Sequence, residues 1–493
     1  MKKIAANLYK SSMFVTVVLL LYALLLAIFV RTPGLVNYPA YLISIASFFV
    51  IFSLVLSVRF LWNRSVNDVL FMILLMIAVL LPRALWIMFV DTKPFSDFDL
   101  YHQYALNASL GKFHLWDKTV LVFPHRIGFP LLLSFFYKIF GGSLLTARIL
   151  NLFFSFLSAV LLYLIGNEIF QKKVGQIAAL LFSLWPSQIM YNSVIASEHI
   201  FIFFFLFSLY FYILAIKKQM RSLKAIYFAL SALFLSISQF IRPIALMLIP
   251  IFFLSILFLS TQPGWRRRIL HGIKVVSFMT VVFLLFFGIF CYIAYQLTGI
   301  NMFKSSSGYN LLVGTNVKSN GVYNDEDARI LEEFHYDFDT VHHEAQKRAI
   351  HRVLSSPLNF MRLLEKKYAI MWGDDSYGAG WSLHDISHPN KISNKLVHHK
   401  LSLIVLSQCY YIAVLFFALF GSLFALKEIN FYGLPILLVF WIHVVAYSFL
   451  EVQSRYHYPA IILLLILSAY GLVKISEEKE ICLPDRYLMN KSG

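Results

Sequence analysis

The chain has 493 residues, of which 59% are hydrophobic and only 14% are charged. An ordinary soluble domain is less apolar and carries about 25% charged residues, so the composition excludes a water-soluble globular protein. The formal net charge of +17 resembles that of nucleic-acid-binding proteins, but Lys and Arg also concentrate in the cytoplasmic loops of membrane proteins. We therefore expect an integral membrane protein with no nucleic-acid partner.

Apolar runs of about 20 residues recur along the chain, as helices that cross a hydrocarbon core of ~30 Å require. They do not alternate as the strands of a barrel do, so they predict an all-α fold with about 12 transmembrane helices, within a range of about 11 to 13. The predicted spans are residues 12–30, 37–57, 68–90, 143–169, 174–191, 195–216, 222–240, 243–260, 272–297, 401–426, 431–449 and 457–474. A further run, residues 127–140, is short and contains Pro130, so it either spans or lies in the interface.

The distribution of basic residues indicates the orientation of the spans. With twelve crossings and both termini in the cytoplasm, the cytoplasmic segments hold twenty Lys and Arg residues. The short outer loops then hold three, which are Arg31, Arg242 and Arg455. Because cytoplasmic loops carry the excess of Lys and Arg, this orientation is favoured, and it places residues 91–126 and 298–400 outside.

The same arrangement predicts four parts of the chain. Residues 1–67 form N-terminal transmembrane helices, and residues 68–297 form a transmembrane core that includes the first outer loop, 91–126. Residues 298–400 form an extracytoplasmic loop domain, and residues 401–493 form the C-terminal transmembrane helices and a short cytoplasmic tail. We expect polar chemistry in the two long outer segments and at the outer ends of the spans.

The first outer loop contains the motif S-D-F-D-L-Y directly after a predicted span. Asp97 and Asp99 stand at the start of a short helix, which the spacing of Tyr101 and Ala105 predicts. A carboxylate beside the bilayer can accept the proton of a hydroxyl group that attacks a sugar carbon. The alternative is structural, because Ser96-x-x-Asp99 matches a capping box and acidic residues stabilise helix N-termini.

Basic residues recur at the predicted outer ends of the spans. His125 and Arg126 belong to P-H-R-I-G-F-P, Arg148 belongs to T-A-R-I-L-N, and Arg242 belongs to I-R-P. Such residues can contact lipid head groups, or they can bind the phosphate of a substrate. Their convergence with acidic residues on one face of the membrane favours a site that combines an anion-binding group with a base.

Two further outer edges carry ionisable residues beside apolar spans. Glu198 belongs to A-S-E-H, and Glu451, Arg455 and Tyr456 belong to E-V-Q-S-R-Y-H-Y-P. Charges at membrane depth are energetically costly, so they are usually paired or functional. An ion pair between Glu451 and Arg455 is the structural alternative to a role in a site.

In combination, the motifs resemble the GT-C class of membrane glycosyltransferases. Their order is S-D-F-D-L-Y, then F-G-G-S-L-L-T-A-R-I-L-N, W-P with A-S-E-H, I-R-P, and E-x-Q-x-R-Y-x-x-P. The resemblance covers about residues 68 to 474. Within the class, the chain is similar to bacterial relatives of the protein O-mannosyltransferases and of the aminoarabinose transferase that modifies lipid A.

The resemblance implies an inverting transfer of a monosaccharide from a polyprenyl-phosphate donor at the outer face of the membrane. Asp97 would be the base, with Asp99 as a second catalytic acid. The mannosyltransferases carry adjacent Asp-Glu where this chain has Asp97-Phe98-Asp99, which leaves the role of Asp99 open. Arg242 and Arg455 would bind the donor phosphate.

Further residues and partners complete this hypothesis. Arg148 and Arg126 are additional candidates for phosphate binding, and Glu198, His125 and Tyr456 are other candidate site residues. No cofactor is expected, because phosphate-loop and dinucleotide-binding motifs do not occur and neighbouring residues in the pattern H-H-E diverge on a helix instead of converging on a metal. The expected partners are the donor lipid, membrane lipids, and a glycan, lipid or protein acceptor.

Two other functions stay open. A flippase or exporter of lipid-linked glycans would place ionisable groups near the bilayer midplane, whereas those of this chain lie at the outer ends of spans. An oligosaccharide ligase or polymerase shares the topology and the outer basic residues, and only a product assay separates it from a monosaccharide transferase.

Overall fold

The computed structural model describes residues 2–29, 39–62, 67–260, 262–304 and 307–481. These ranges are almost entirely helical and contain no strand, only an isolated bridge between Thr92 and Ile386. The predicted all-α class is therefore confirmed. Arg31, which was counted among the outer basic residues, and the tail from residue 482 onward lie outside the described residues.

The helices are numbered in chain order. Up to residue 298 they are α1 (Lys2–Phe29), α2 (Ala40–Trp62), α3 (Asp68–Phe89), α4 (Asp97–Ser109), α5 (Thr119–Val122), α6 (Gly128–Phe140), α7 (Leu144–Ile169), α8 (Lys172–Ser183), α9 (Pro186–Tyr191), α10 (Glu198–Lys217), α11 (Arg221–Ile241), α12 (Leu248–Leu259) and α13 (Trp265–Thr298). The remaining helices are α14 (Ser307–Gly314), α15 (Asp325–Ala328), α16 (Ile330–Glu333), α17 (Phe338–Ser355), α18 (Pro357–Trp372), α19 (Tyr377–Ser382), α20 (Lys391–His398), α21 (Lys400–Lys427), α22 (Leu434–Phe449) and α23 (Tyr458–Ile481).

Ten helices in the described ranges are long and apolar enough to cross a membrane, which confirms a multi-pass architecture. They are α1, α2, α3, α7, α10, α11, α13, α21, α22 and α23. The two other predicted spans are shorter than expected. Residues 243–260 form a 3-10 turn, Pro243–Met247, that continues into α12, and residues 174–191 are divided between α8 and α9. The count of twelve therefore stays a prediction.

A proline and a buried arginine account for the break between α8 and α9. Pro186 opens α9, and Trp185 before it is extended, as the steric restriction on the residue before a proline requires. The break leaves carbonyl oxygens at the end of α8 without partners in the helix, and the residues that carry them are buried. Arg83 of α3 is fully buried and donates to the carbonyl oxygens of Phe182 and Ser183 at 3.1 and 2.9 Å, which satisfies these groups inside the bundle.

The run at residues 127–140 forms α6, a helix of 13 residues. Its length of about 20 Å is less than the ~30 Å of a hydrocarbon core. α6 begins at Gly128, where an added Cβ would lie 1.8 Å from the carbonyl oxygen of Phe240. Glycine thus permits the close approach of α6 to the end of α11.

The segments predicted to lie outside meet at one end of the helix bundle. Lys93 and Asp385 form an ion pair at 3.2 Å, and Asp91 lies 2.5 Å from His388. The carbonyl oxygen of Val122 is 3.0 Å from Nε2 of His342. Residues 91–126 therefore pack directly on residues 298–400 instead of forming an independent loop.

The last helix lies at the centre of the bundle and fixes the position of the chain that precedes it. α23 is almost completely buried, and it packs closely on α21 through two glycines. A Cβ at Gly421 would lie 2.0 Å from the carbonyl oxygen of Leu467, and one at Gly471 would lie 2.3 Å from that of Phe417. Small residues permit this close approach of membrane helices, and the 3-10 turn Ser454–His457 is held at the end of the central helix.

Candidate active site

A cavity of about 620 Å³ lies between one end of the bundle and the segment 298–400. Ionisable side chains of both signs line it, three of them carboxylates and three of them guanidinium groups. They are Asp97, Glu198, Glu451, Arg126, Arg242 and Arg455. A concave site that combines acids with cations can hold an anionic substrate beside a proton acceptor.

The start of α4 explains why one of the two predicted acids faces the cavity and the other does not. Residues two apart on a helix point to nearly opposite sides, since each step turns by about 100°, while residues four apart share a face. Asp97, Phe98 and Tyr101 accordingly line the cavity, and Asp99 is not among the lining residues. The carboxylate of Asp99 accepts a long 3.4 Å hydrogen bond from Gln103 instead.

The capping box predicted as an alternative does not form. The side chain of Ser96 makes no capping hydrogen bond to α4, so helix capping does not account for Asp99. Ser96 has a φ of 53° and a ψ of −137°, a conformation that is strained for a residue with a side chain. The strained residue stands directly before Asp97, at the cavity wall.

Asp97 and Arg126 form an ion pair among the residues that line the cavity. Their nearest side-chain atoms are 3.5 Å apart, and about one third of the Asp97 side chain is exposed. The guanidinium of Arg126 also lies over the ring of Phe123, 4.5 Å from its centroid. Burial disfavours the charge on Arg126, but Asp97 together with Tyr101, Tyr309 and Tyr456 outweighs this effect, and the pKa of Arg126 is raised.

Glu198 and Arg242 form a second, closer ion pair. Nη1 of Arg242 lies 2.5 Å from Oε1 of Glu198 and donates to Oγ of Ser197 at 3.2 Å. Glu198 opens α10, and Arg242 follows the last residue of α11. Two helix ends are thus joined at the cavity wall by a pair whose carboxylate is almost fully buried.

Arg455 is held by aromatic rings instead of a carboxylate. Its Cζ lies 5.1 Å from the ring centroids of Phe98 and Trp381 and 5.6 Å from that of Tyr456. Cation–π contacts of this kind stabilise a guanidinium without neutralising it. Among the described residues, no carboxylate oxygen lies within 4.0 Å of Arg455, and its buried Nε has no hydrogen-bond acceptor.

Glu451 is the third carboxylate of the cavity, and the ion pair with Arg455 that was the structural alternative is absent among the described residues. Oε1 of Glu451 accepts a 3.0 Å hydrogen bond from Gln453 and lies 3.5 Å from the hydroxyl of Tyr456. Burial raises the pKa of Glu451, and the amide of Gln453 and the charge of Arg455 offset this effect only in part. The pair fails because Arg455 turns toward Phe98 and Trp381.

Arg148 is not among the residues that line the cavity. It is buried and binds Oδ1 of Asp91 at 2.6 Å and the carbonyl oxygens of Thr92 and Ser193 at 2.6 and 3.1 Å. Burial alone would raise the pKa of Asp91, but hydrogen bonds from His388 and Arg148 lower it overall. These contacts connect two loops. We therefore assign Arg148 a structural role and do not include it among the residues proposed to bind the donor phosphate.

His125 and Tyr456, the other candidate residues, both line the cavity. Burial lowers the pKa of His125 to about 3, and the charges of Arg126 and Arg242 act in the same direction. His125 is therefore neutral at physiological pH and adds no positive charge. Tyr456 stacks on Tyr447 with 5.3 Å between ring centroids.

Several lining residues are not predicted from the sequence. Glu451 stands out only as an ionisable residue near Arg455, and nothing in the sequence singles out Trp381, Tyr309, Asn310 or Gln453. Tyr309, Asn310 and Trp381 reach the cavity from the segment 298–400. No pattern in that segment marks them, because the packing of distant segments decides which side chains face the cavity.

Comparison with known proteins bears on the class of the molecule. Residues 124–292 match the family model described as dolichyl-phosphate-mannose-protein mannosyltransferase. The chain resembles the GT-C class of membrane glycosyltransferases. This match supports a transferase, in agreement with the resemblance of the motifs. No curated protein sequence matches the chain.

Two solved structures are similar to the chain over most of its length. The chain is similar to the apo oligosaccharyltransferase of Archaeoglobus fulgidus at 14% identity, with 86% of this chain and 52% of that chain covered and a TM-score of 0.49. It is similar to ArnT from Cupriavidus metallidurans bound to undecaprenyl phosphate at 10% identity, with 83% and 78% covered and a TM-score of 0.37. The chain spans about half the length of the archaeal enzyme. At these identities and TM-scores, the likeness bears on neither substrate nor residue roles.

Proposed function

We propose that the protein transfers a monosaccharide from a polyprenyl-phosphate donor to an acceptor hydroxyl at the outer face of the membrane. The observation that supports this function best is the combination, in one cavity, of an accessible carboxylate on Asp97 with an unpaired guanidinium on Arg455. The reaction needs both groups, because a proton must be accepted while a phosphate leaves.

The donor phosphate would bind Arg455 first. A guanidinium can bind phosphate oxygens through two parallel hydrogen bonds, and Arg455 has no competing carboxylate within 4.0 Å among the described residues. Arg242 lies on the same cavity but is paired with Glu198. Arg242 therefore contributes a second positive charge whose orientation Glu198 fixes.

Asp97 would act on the acceptor. The acceptor oxygen attacks the anomeric carbon from the side opposite the phosphate, and the carboxylate of Asp97 takes the proton of the hydroxyl. The bond between the anomeric carbon and the phosphate oxygen breaks, and the electron pair leaves with the phosphate. A single displacement of this kind inverts the anomeric centre. Arg126, at 3.5 Å, orients the carboxylate.

The orientation of the chain is part of the same proposal. Residues 91–126 and 298–400 meet at one end of the bundle and enclose the cavity. The excess of Lys and Arg in the other connecting segments favours a cytoplasmic location for those segments and for both termini. The donor would therefore be used on the outer face.

This function can be tested by comparing three strains of cells. One strain carries the intact protein, one carries an Asp97→Asn variant, and one lacks the protein. We expect mass spectrometry of the envelope glycans to show one sugar substituent that is present only with the intact protein. The structure to which the sugar is attached would identify the acceptor class. Equal glycan composition in all three strains would contradict the proposal.

A further inference from the structure

The cavity contains two unpaired charges of opposite sign. Asp97 is paired with Arg126, and Glu198 is paired with Arg242. In contrast, among the described residues, Glu451 has no Lys, Arg or His nitrogen within 4.0 Å, just as Arg455 has no carboxylate. A ligand that is anionic at one end and rich in hydrogen-bond donors at the other matches this arrangement.

Glu451 is held by a rigid connection to the segment 298–400. Its backbone N–H donates to the carbonyl oxygen of Asn310 at 3.0 Å, and that of Val452 donates to Gly321 at 3.0 Å. The buried ammonium of Lys367 donates to the carbonyl oxygens of Leu450 at 2.8 Å, Ser448 at 2.9 Å and Gly314 at 2.7 Å. These bonds fix the backbone on both sides of Glu451.

The carboxylate itself keeps an acceptor atom for a ligand. Gln453 and Tyr456 both approach Oε1 of Glu451, and no described residue donates a hydrogen bond to Oε2. Tyr447 and Tyr456, stacked on one another, line the cavity beside it. A fixed carboxylate with a free oxygen and flat aromatic neighbours suits a sugar ring, whose hydroxyl groups donate and whose faces are apolar.

We propose that Glu451 binds the sugar of the donor lipid and determines which sugar is accepted, while Arg455 binds the phosphate. This assignment rests on the proposed function. Hydroxyl groups and the ammonium of an amino sugar share the chemistry that Glu451 recognises, since both donate hydrogen bonds to a carboxylate. A loss of one such charged hydrogen bond lowers affinity about 10- to 100-fold.

The test measures equilibrium binding by the full-length protein in nanodiscs. The probes are undecaprenyl phosphate without a sugar, and undecaprenyl phosphate linked to a neutral hexose, to an N-acetylhexosamine or to a sugar with a free amino group. The quantity of interest is the ratio of affinities for each glycosylated carrier and the sugar-free carrier. Glu326→Gln serves as the matched control, since Glu326 is exposed in the outer segment.

For Glu451→Gln, we expect the largest of these ratios to fall by about tenfold or more, with binding of the sugar-free carrier changed less than twofold. Retained binding of the sugar-free carrier also shows that the variant is folded. Glu451→Asp keeps the charge but shortens its reach, so it should change the order of preference among the sugars. Glu326→Gln should change neither quantity.

Several results would overturn the assignment. Unchanged ratios in both Glu451 variants would show that the carboxylate does not contact the sugar, and parallel loss of sugar-free carrier binding in both would show a structural role. If the intact protein binds none of the carriers, the proposed function itself fails.

Discussion

Oδ1 of Asp97 lies 3.5 Å from Nη1 of Arg126, close enough for attraction but too long for a strong charged hydrogen bond. The guanidinium of Arg126 packs over the ring of Phe123, so Phe123 fixes the position of the arginine, and the arginine in turn orients Asp97. This leaves the carboxylate of Asp97 available to a hydroxyl group that enters the cavity.

Asp97→Asn should leave the protein folded and inserted but lower turnover by about 10² to 10⁴, the usual contribution of a positioned acid-base group. Asp99→Asn should have a much smaller effect, because Asp99 does not line the cavity. Initial rates of both variants in detergent check this expectation. Small and equal losses at the two positions would show that neither carboxylate takes part in the reaction.

Arg455→Lys should weaken use of the donor lipid. The ammonium of lysine is a compact charge that cannot form two parallel hydrogen bonds with phosphate and fits the three aromatic rings less well. We expect kcat/KM for the donor to fall about 10- to 100-fold, with a similar direction for Arg242→Lys and a milder effect for Arg126→Lys. Initial rates measured against donor concentration give this quantity for each variant. If kcat/KM for the donor in all three variants equals that of the parent, the phosphate binds elsewhere.

Arg148→Lys should affect stability and not donor binding. The guanidinium joins Asp91, Thr92 and Ser193 through three hydrogen bonds, and a lysine cannot replace all of them. We expect a loss of about 2 kcal/mol or more, seen as a lower melting temperature, while the Michaelis constant for the donor stays unchanged in the folded fraction. A selective rise of that constant would return Arg148 to the phosphate site.

Acid should weaken the contact between the first loop and the outer segment at His342. Its Nδ1 accepts the N–H of Tyr309 at 3.2 Å, and Nε2 lies 3.0 Å from the carbonyl oxygen of Val122. The ring can satisfy both contacts only in its neutral form. Burial lowers the pKa of His342 below its ordinary value of 6.5. The pKa of His342 is therefore lower in the folded protein than in the unfolded chain. The stability that neutral His342 contributes is complete above its pKa in the unfolded chain, and it is lost as the pH falls toward its pKa in the folded protein.

Thermal unfolding between pH 7.5 and pH 5 tests this dependence. His342→Gln should be less stable at pH 7.5 and should lose less stability on acidification than the parent protein. His343→Gln provides the control, because its side chain is exposed on the same helix. Parallel pH profiles for all three proteins would show that His342 is not the sensitive group.

Single-cysteine labelling tests the orientation. A cysteine at the exposed position of Lys318 should react with a membrane-impermeant reagent in intact cells, since Lys318 belongs to the predicted outer segment. Cysteines at Lys218 and Arg267 should react only after permeabilisation. The reverse pattern would place the cavity on the cytoplasmic face.

The sequence was sufficient for the helical class and for several residues of the cavity, but not for their contacts. Asp97, Arg242 and Arg455 were selected because charged residues beside apolar spans are rare and marked by motifs. The contact partners of these residues could not be predicted from the sequence. Arg242, for example, pairs with Glu198, which lies 44 positions earlier in the chain. Glu451 and Arg455 look like a pair at helical spacing, yet the chain between them is extended and then forms a 3-10 turn.

The division of residues 174–191 into two helices was missed for a related reason. Pro186 is visible in the sequence, but a proline at that position is also compatible with a kinked span. The break is stabilised by Arg83, about 100 residues earlier in the chain. The hydropathy of a sequence segment indicates how long and how apolar a helix is. It does not identify a distant residue that donates hydrogen bonds to the carbonyl oxygens at a helix break.

The most direct test of the proposed reaction uses the purified protein in liposomes with polyprenyl-phosphate-linked monosaccharides and an extract of envelope acceptors. We predict that one donor is consumed, that polyprenyl phosphate is released in equal amount, and that the sugar appears on the acceptor with inverted anomeric configuration. Asp97→Asn should abolish most of this turnover. Movement of an intact donor across the membrane without release of the carrier, or equal turnover by the Asp97→Asn variant, would contradict the proposed reaction and the role of Asp97 in it.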